Sequence, residues 1–261
     1  MKKDFHMHPT VVQNPERFDA FAARALEQGI ERVCVTDHMP LSVSNAGDRI
    51  PKGQVQAYCA AVRALAKRYE GRLDIRLGIE IDYHPDFTEE IEAVLREGDF
   101  DFVLGSTHLH AGQCDIFHQA STWNEYAEAA LQNTLLAARS GYFDAIPHLD
   151  MYRWIFTLPE RFPLQRDDYA PEKHEALIKS ILSIIGQEGL YLEINPHLAL
   201  AQGDVAYTYP QEQIVNWALE ENVRFSYGSD AHHPEHVGGM LDALRAHPVY
   251  GRALARWEAE K

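Results

Sequence analysis

Apolar and polar residues along this chain follow two periods that take turns from one end to the other. Asn14-Pro15 offers a helix cap and a first-turn proline, after which Phe18, Phe21, Ala22, Ala25 and Leu26 recur on one face until Gly29 ends the pattern. The apolar run from Arg32 to Thr36 then reads as a strand. Val55, Tyr58, Cys59, Val62 and Leu65 return to helical spacing within a helix predicted over 53–68. The exchange continues with strand 74–81, helix 88–97, strand 101–106, helix 123–140, strand 143–147 and helix 171–187. It closes with strand 190–194, helix 210–221, strand 224–228 and a final helical stretch over 237–246.

An opening strand at 4–7 brings the count to seven strands, each followed by a helical segment. Such alternation predicts an α/β fold, a parallel sheet with helices outside it. No glycine-rich phosphate loop opens a helix, so a closed TIM-like barrel of seven β/α units fits better than an open nucleotide-binding sheet. The chain shows no strong repeat, no low-complexity tract and no domain boundary, and its 261 residues suit one barrel domain. Three longer connections, 39–53, 109–122 and 149–170, have the length of binding loops.

The strand ends carry the chemistry. Strand one ends in His6-Met7-His8, strand two in Thr36-Asp37-His38, strand three in Glu80-Ile81-Asp82 and strand four in Ser106-Thr107-His108. Strand five ends in His148-Leu149-Asp150, strand six in Glu193-Ile194-Asn195 and strand seven in Ser229-Asp230-Ala231-His232. In a β/α barrel these ends converge on one face, where active sites are built. His6 and His8, two apart on a strand, share a face, as two ligands of one ion must. Imidazoles mixed with carboxylates favour zinc, iron or manganese over calcium or magnesium. The positions are too many for one tetrahedral ion and predict two or three, with a carboxylate such as Glu80 bridging two of them.

Composition changes this picture in three places. Fourteen histidines are unusual, and several fall in the motifs just named. Three cysteines (Cys34, Cys59, Cys114) without CxxC spacing argue against a disulfide framework or a zinc knuckle, and Cys34 reads as a small core residue. A formal net charge of −15 repels nucleic acid and acidic membranes, so a phosphorylated substrate needs the local positive charge that bound cations supply. With no apolar run of membrane-spanning length and no signal-peptide pattern, a soluble, cytoplasmic protein is expected.

The ordered motifs HxH, TDH, GIE, STH, HLD, EIN and GSDAH resemble those of the polymerase and histidinol phosphatase (PHP) family across essentially the whole chain. Gly78 to Tyr83, His148-Leu149-Asp150, Glu193-Ile194-Asn195 and Tyr209-Pro210 are similar to its histidinol-phosphate phosphatases in particular. The resemblance implies a distorted (β/α)7 barrel and hydrolysis of a small phosphorylated metabolite, foremost L-histidinol phosphate, by a metal-activated hydroxide. It implies that His6, His8, Glu80 and Asp230 hold one ion, Glu80, His108 and His148 a second, and His38 and His232 a third. Asp230, His232 and Glu80 are then the positions expected to carry catalysis, and Arg153, His197 and Asn195 those expected to meet substrate.

Two departures stand out. Where the family usually places an Asp or His after HxH, this chain has Gln13 and Asn14, which puts the third site in question. Where histidinol phosphatases carry a basic residue after EIN, it has only His197, leaving Arg153 either as a phosphate contact or as an exposed loop arginine. Asn195 either orients substrate or caps the loop before Pro196, and Asp37 is a possible partner that fixes an imidazole tautomer. His110 and His233 are read either as leaving-group acids or as solvent-facing neighbours of ligands.

Three rival readings remain. An amidohydrolase-type barrel also opens with HxH, but strand four lacks the lysine such sites use. A phosphodiesterase or nuclease would use the aromatics Tyr152, Trp154 and Phe156, against the acidic balance of the chain. A non-catalytic metal-binding protein has no need of ligands at every strand end.

Overall fold

The computed structural model describes residues 1–39, 49–108, 120–157 and 164–260. Its seven strands are β1 (Lys3–Asp4), β2 (Arg32–Val35), β3 (Asp74–Asp82), β4 (Phe102–Ser106), β5 (Ala145–Ile146), β6 (Tyr191–Ile194) and β7 (Arg224–Tyr227). They lie in sequence order and every neighbouring pair is parallel. The seam between β7 and β1 is also bonded. Phe5 N–H donates to Tyr227 O at 2.9 Å, Asp230 N–H to His6 O at 2.8 Å and His8 N–H to Ala231 O at 2.9 Å. The sheet therefore closes into the barrel that the strand count predicts.

Helices follow the strands: α1 (Phe18–Glu27), α2 (Val55–Arg68), α3 (Thr88–Glu97), α4 (Trp123–Arg139), α5 (Arg153–Phe156), α6 (Glu175–Glu188), α7 (His197–Gln202) and α8 (Glu212–Glu220) lie between successive strands, and α9 (Leu241–Ala246) and α10 (Tyr250–Ala259) come after β7. Among the described residues, no helix is long and apolar enough to cross a membrane. The spacing that marks α1 and α2 places Phe18, Phe21, Ala22 and Ala25, and Val55, Tyr58, Val62 and Leu65, against the sheet. Thr122 opens α4 with a capping box, its hydroxyl accepting from Glu125 N–H while the Glu125 side chain accepts from Thr122 N–H.

Three expectations are corrected. The opening strand, predicted over 4–7, pairs with β2 only at Lys3–Asp4, and the fifth, predicted over 143–147, only at Ala145–Ile146. The last predicted helix, over 237–246, starts only at Leu241, because Gly238 and Met240 adopt φ of +67° and +58° and interrupt the turn. The short α5 and α7, inside connections, and the amphipathic α10, which buries Tyr250, Ala253, Leu254 and Trp257, are additional.

Inside the barrel the lower layer is apolar. Cys34, Phe102, Leu104 and Ala145 form a small cluster joined by Phe5 and Tyr191, with Cys34 in the core as its sequence context predicts. Phe5 meets Phe102 and Trp257 edge-on at 5.1 and 5.0 Å, and Lys3 Nζ lies 3.6 Å from the Trp257 ring centroid. Residues two apart on a strand share a face, so the next inward positions toward the C-terminal end are Ser106 above Leu104 and Glu193 above Tyr191. Along β4 and β6 the interior thus changes from apolar floor to polar mouth within one step of the strand.

Candidate metal centre

Glu80, near the C-terminal end of β3, stands at the middle of that mouth and is 1% exposed. Its Oε2 lies 3.2 Å from His6 Nε2, 3.3 Å from His8 Nε2 and 2.9 Å from His38 Nδ1. Its Oε1 lies 3.0 Å from His148 Nε2 and 3.5 Å from His108 Nε2. One carboxylate thus turns its two oxygens to two different sets of imidazoles. Asp230 closes the first set, with Oδ1 3.2 Å from His8 Nε2 and 3.7 Å from His6 Nε2.

The remaining imidazole, His232, has its ring centroid 4.4 Å from that of His8 and 5.7 Å from that of His38. Ligand atoms come within 4.8 Å of one another in the sets His6–His8–Asp230, His6–Glu80–His148, His38–Glu80–His108, His8–His38–His232 and His197–Asp230–His232. All eight positions named from the sequence as metal ligands are therefore gathered in one cluster. The grouping differs in one respect: His8, assigned to the first site, also neighbours His38 and His232.

Two carboxylates outside the eight candidate ligands hold the rings in place. Asp82 Oδ1 is 2.7 Å from His108 Nδ1, while its Oδ2 accepts from Arg49 at 2.6 Å. Glu193 Oε1 is 2.8 Å from His6 Nδ1, and its Oε2 accepts from His148 N–H at 3.1 Å and Asn195 Nδ2 at 2.9 Å. Each leaves the far nitrogen of its histidine facing Glu80, the carboxylate–imidazole arrangement common behind bound metals. Both lie in motifs visible in the chain; the usable signal was their inward phase, Asp82 two after Glu80 and Glu193 two before Asn195. The backbone is strained at two ligand positions, with φ of +27° at His148 and +54° at Asp230.

The electrostatics describe a site shaped for cations. Burial pushes the Glu80 carboxyl up, but His6, His108 and His38 outweigh it and hold the group well below the usual carboxylate range. Burial likewise opposes ionisation of Asp230, and His6 and His197 outweigh it. His8, buried beside His38 and His232, is kept well below the ordinary histidine value and so neutral, the form that ligates a metal. Burial lowers His6, yet Glu193, Glu80 and Asp230 raise it well above that value. A cation in this place takes over the role of that proton.

A test of fit comes from atoms left without partners. His6 Nε2, both ring nitrogens of His8 and Glu80 Oε2 are buried and make no hydrogen bond. Such groups are costly unless something else satisfies them. They converge on shared space, and their mixture of imidazole nitrogen and carboxylate oxygen suits a transition-type divalent ion.

The expected substrate contacts fare differently. His197, with its side chain 42% exposed, sits at the rim, with Nδ1 3.0 Å from Asp230 O and its ring beside His232. Asn195 is fully buried; Nδ2 donates to Glu193 and, at 3.3 Å, to Asp230 Oδ2, while Oδ1 accepts from His197 N–H at 2.9 Å. It ties Glu193 to Asp230 and caps the loop that follows Pro196. Arg153 is not an exposed loop arginine: it is half-buried and donates to Asp150 Oδ2 at 3.1 Å, Thr208 O at 3.0 Å and Ala206 O at 3.2 Å.

Among the described residues, Asp37 bonds backbone rather than an imidazole. Its two oxygens accept from Thr10 N–H at 2.8 Å and Val11 N–H at 2.9 Å. His233 is exposed and stacks edge-on with His236, which matches its solvent-facing reading, and His110 lies outside the described residues. Arg17 and Arg49, unremarked in the sequence, both reach the cluster, Arg49 through Asp82 and Arg17 through the carbonyl of His232.

Fold and site together define a barrel-type, metal-dependent hydrolase. Residues 4–197 match the family model described as the PHP domain, and the chain belongs to that family. It is 36% identical over 233 residues to a Deinococcus radiodurans protein named "Probable histidinol-phosphatase", covering 86% of this chain and 84% of that one. It is 24% identical over 267 residues to the histidinol-phosphatase of Bacillus subtilis, covering 93% and 98%. Among solved structures, the histidinol phosphate phosphatase of Lactococcus lactis in complex with zinc, L-histidinol and phosphate superposes with a TM-score of 0.74. That match has 18% identity and covers 94% of this chain and 93% of that one. The amidohydrolase alternative is set aside by the family match.

Proposed function

We propose that this chain is a phosphomonoesterase that hydrolyses L-histidinol phosphate to L-histidinol and inorganic phosphate. The observation that carries the reading is Glu80, whose two oxygens face two separate groups of imidazoles at 2.9–3.5 Å in a buried mouth. The substrate is supported by the two relatives named for this activity and by the ligands of the Lactococcus structure.

His6, His8, Asp230 and Glu80 hold one divalent ion, and Glu80, His108 and His148 hold a second. His38 and His232 serve a third, zinc, iron or manganese being the elements such donors favour. Ions of this kind, when bound, act as Lewis acids toward phosphoryl oxygens and lower the pKa of water to about 7. The chain's own groups do the positioning: Glu193 and Asp82 orient His6 and His108, and Asn195 ties Glu193 to Asp230. His197 and His232, neighbouring rings at the rim, are the polar groups offered to the incoming ester. A net charge of −15 makes the loaded cluster the feature that draws an anionic ester to the barrel mouth.

The test is phosphate release from L-histidinol phosphate beside a panel of sugar and nucleotide monophosphates and a diester, with metal-analysed protein supplied with manganese, zinc or iron. The expected result is the highest kcat/KM for L-histidinol phosphate. A metal-loaded protein that turns over another ester faster, or none, contradicts the assignment.

A further inference from the structure

Residues 9–17 follow the HxH pair, where the family resemblance leads one to look for a third-site ligand. Gln13 instead donates its amide to the carbonyl of Arg49, and no side chain of the segment joins a ligand set among the described residues. What the segment makes is a knot between three strand ends. Thr10 and Val11 give their N–H groups to the two oxygens of Asp37, at 2.8 and 2.9 Å, which fastens the end of β1 to the end of β2. Arg17 Nη1 donates to Thr10 Oγ1 at 3.1 Å, and Nη2 donates to the backbone carbonyl of His232, which fastens both to the end of β7.

These three ends carry His8, His38 and His232, the one all-imidazole set of the described cluster. The His8 and His38 rings stack at 4.1 Å and 12°, and His232 lies 4.4 Å from His8. Rings packed this closely keep a shared ligating geometry only if the three strand ends that carry them are held in fixed register. The backbone that must hold them is itself strained: Thr10, a β-branched residue, sits at φ +55°. Both its N–H and its hydroxyl are bonded into the knot. The Arg17 guanidinium lies 5.6 Å from the Phe21 ring centroid, and its fork spans two fixed acceptors, a geometry that a lysine ammonium cannot reproduce.

We propose that Arg17, acting with Thr10 and Asp37, is a positioning residue that holds His232 in register with His8 and His38, so that this corner takes a divalent cation without a ligand from residues 9–17. The inference rests on the metal-centre reading above, and its test reads ion binding directly. Apo-protein prepared with a chelator is titrated with zinc and with manganese in equilibrium dialysis, for wild type, Arg17→Ala and Arg17→Lys. Far-UV circular dichroism and melting of the apo forms check the fold.

Arg17→Ala is expected to weaken the weakest class of bound ion about 10–100-fold, the usual cost of losing an outer partner, while the tighter class is unchanged. Arg17→Lys is expected to recover only part of that loss. Thr10→Val keeps shape and charge but removes the hydroxyl, and should show the same selective effect at smaller size even if Arg17→Ala does not fold. Isotherms that coincide with wild type, or that weaken for every ion class alike, overturn the inference and leave the hydrolase reading standing. A wild-type chain that binds no ion sinks both.

Discussion

Among the described residues, Glu80 has five imidazole contacts through two oxygens, and no hydrogen bond satisfies Oε2. A buried carboxylate in that state is paid for only by cations around it. The rings it faces stay in register because Glu193 and Asp82 grip the far nitrogens of His6 and His108. Replacing Glu193 with Gln or Asp82 with Asn keeps the shape and removes the charge behind the ring. Each variant is expected to lose about 10–100-fold in metal affinity, measured by competition with a chromophoric chelator. Unchanged affinity in both would mean that the rings are set by packing alone. The candidate ligands were legible because each falls at a predicted strand end. The braces were not, since a carboxylate behind a histidine and one in front of it look alike in a sequence. Asp37 shows the same ambiguity: adjacent to His38, it turns instead to the backbone of residues 10 and 11.

The strands matter through where they end. Along β4 and β6 the inward positions step from Leu104 to Ser106 and from Tyr191 to Glu193, so apolar floor and polar mouth are written two residues apart. At the end of β7 the approach is too close for a side chain. A Cβ on Gly228 would overlap both the Glu193 carboxylate and the His6 Cβ. Gly228→Ala is therefore expected to push Glu193 off His6, weakening metal binding by at least the cost of losing that partner and lowering the melting temperature of the apo-protein. Equal metal affinity and melting temperature would contradict the packing described. Periodicity located all seven strands and the main helices. It overran β1 and β5, whose ladders with the neighbouring strands span two residues each, because residues 5–8 go on bonding to the end of β7 and Phe143 and Pro147 beside β5 stay buried. It overran the start of α9 because the left-handed turn at Gly238 and Met240 comes from the backbone, not from the hydrophobic pattern.

At the scale of the whole molecule, a barrel carrying a net charge of −15 concentrates imidazoles and ionised carboxylates at one mouth. Removing the ions leaves Glu80 and Asp230 facing each other across shared histidines, so loaded and empty forms differ in stability. An ion present at 100 times its dissociation constant adds about 2.7 kcal/mol per site. For a chain of this size that corresponds to about 5–10 °C in melting temperature. Chelation followed by calorimetry should show that fall, and added zinc or manganese should reverse it. A melting temperature indifferent to ions would mean that the cluster does not bind them in the folded state.

The central claim is that Glu80 bridges ions in a centre that hydrolyses L-histidinol phosphate. The most direct measurement is metal content and L-histidinol phosphate turnover on the same preparations of wild type and Glu80→Gln. The expected result is a variant that folds, carries fewer ions than wild type, and loses more activity than the roughly 10–100-fold that an outer partner costs. A Glu80→Gln protein with wild-type metal content and full turnover would contradict the account.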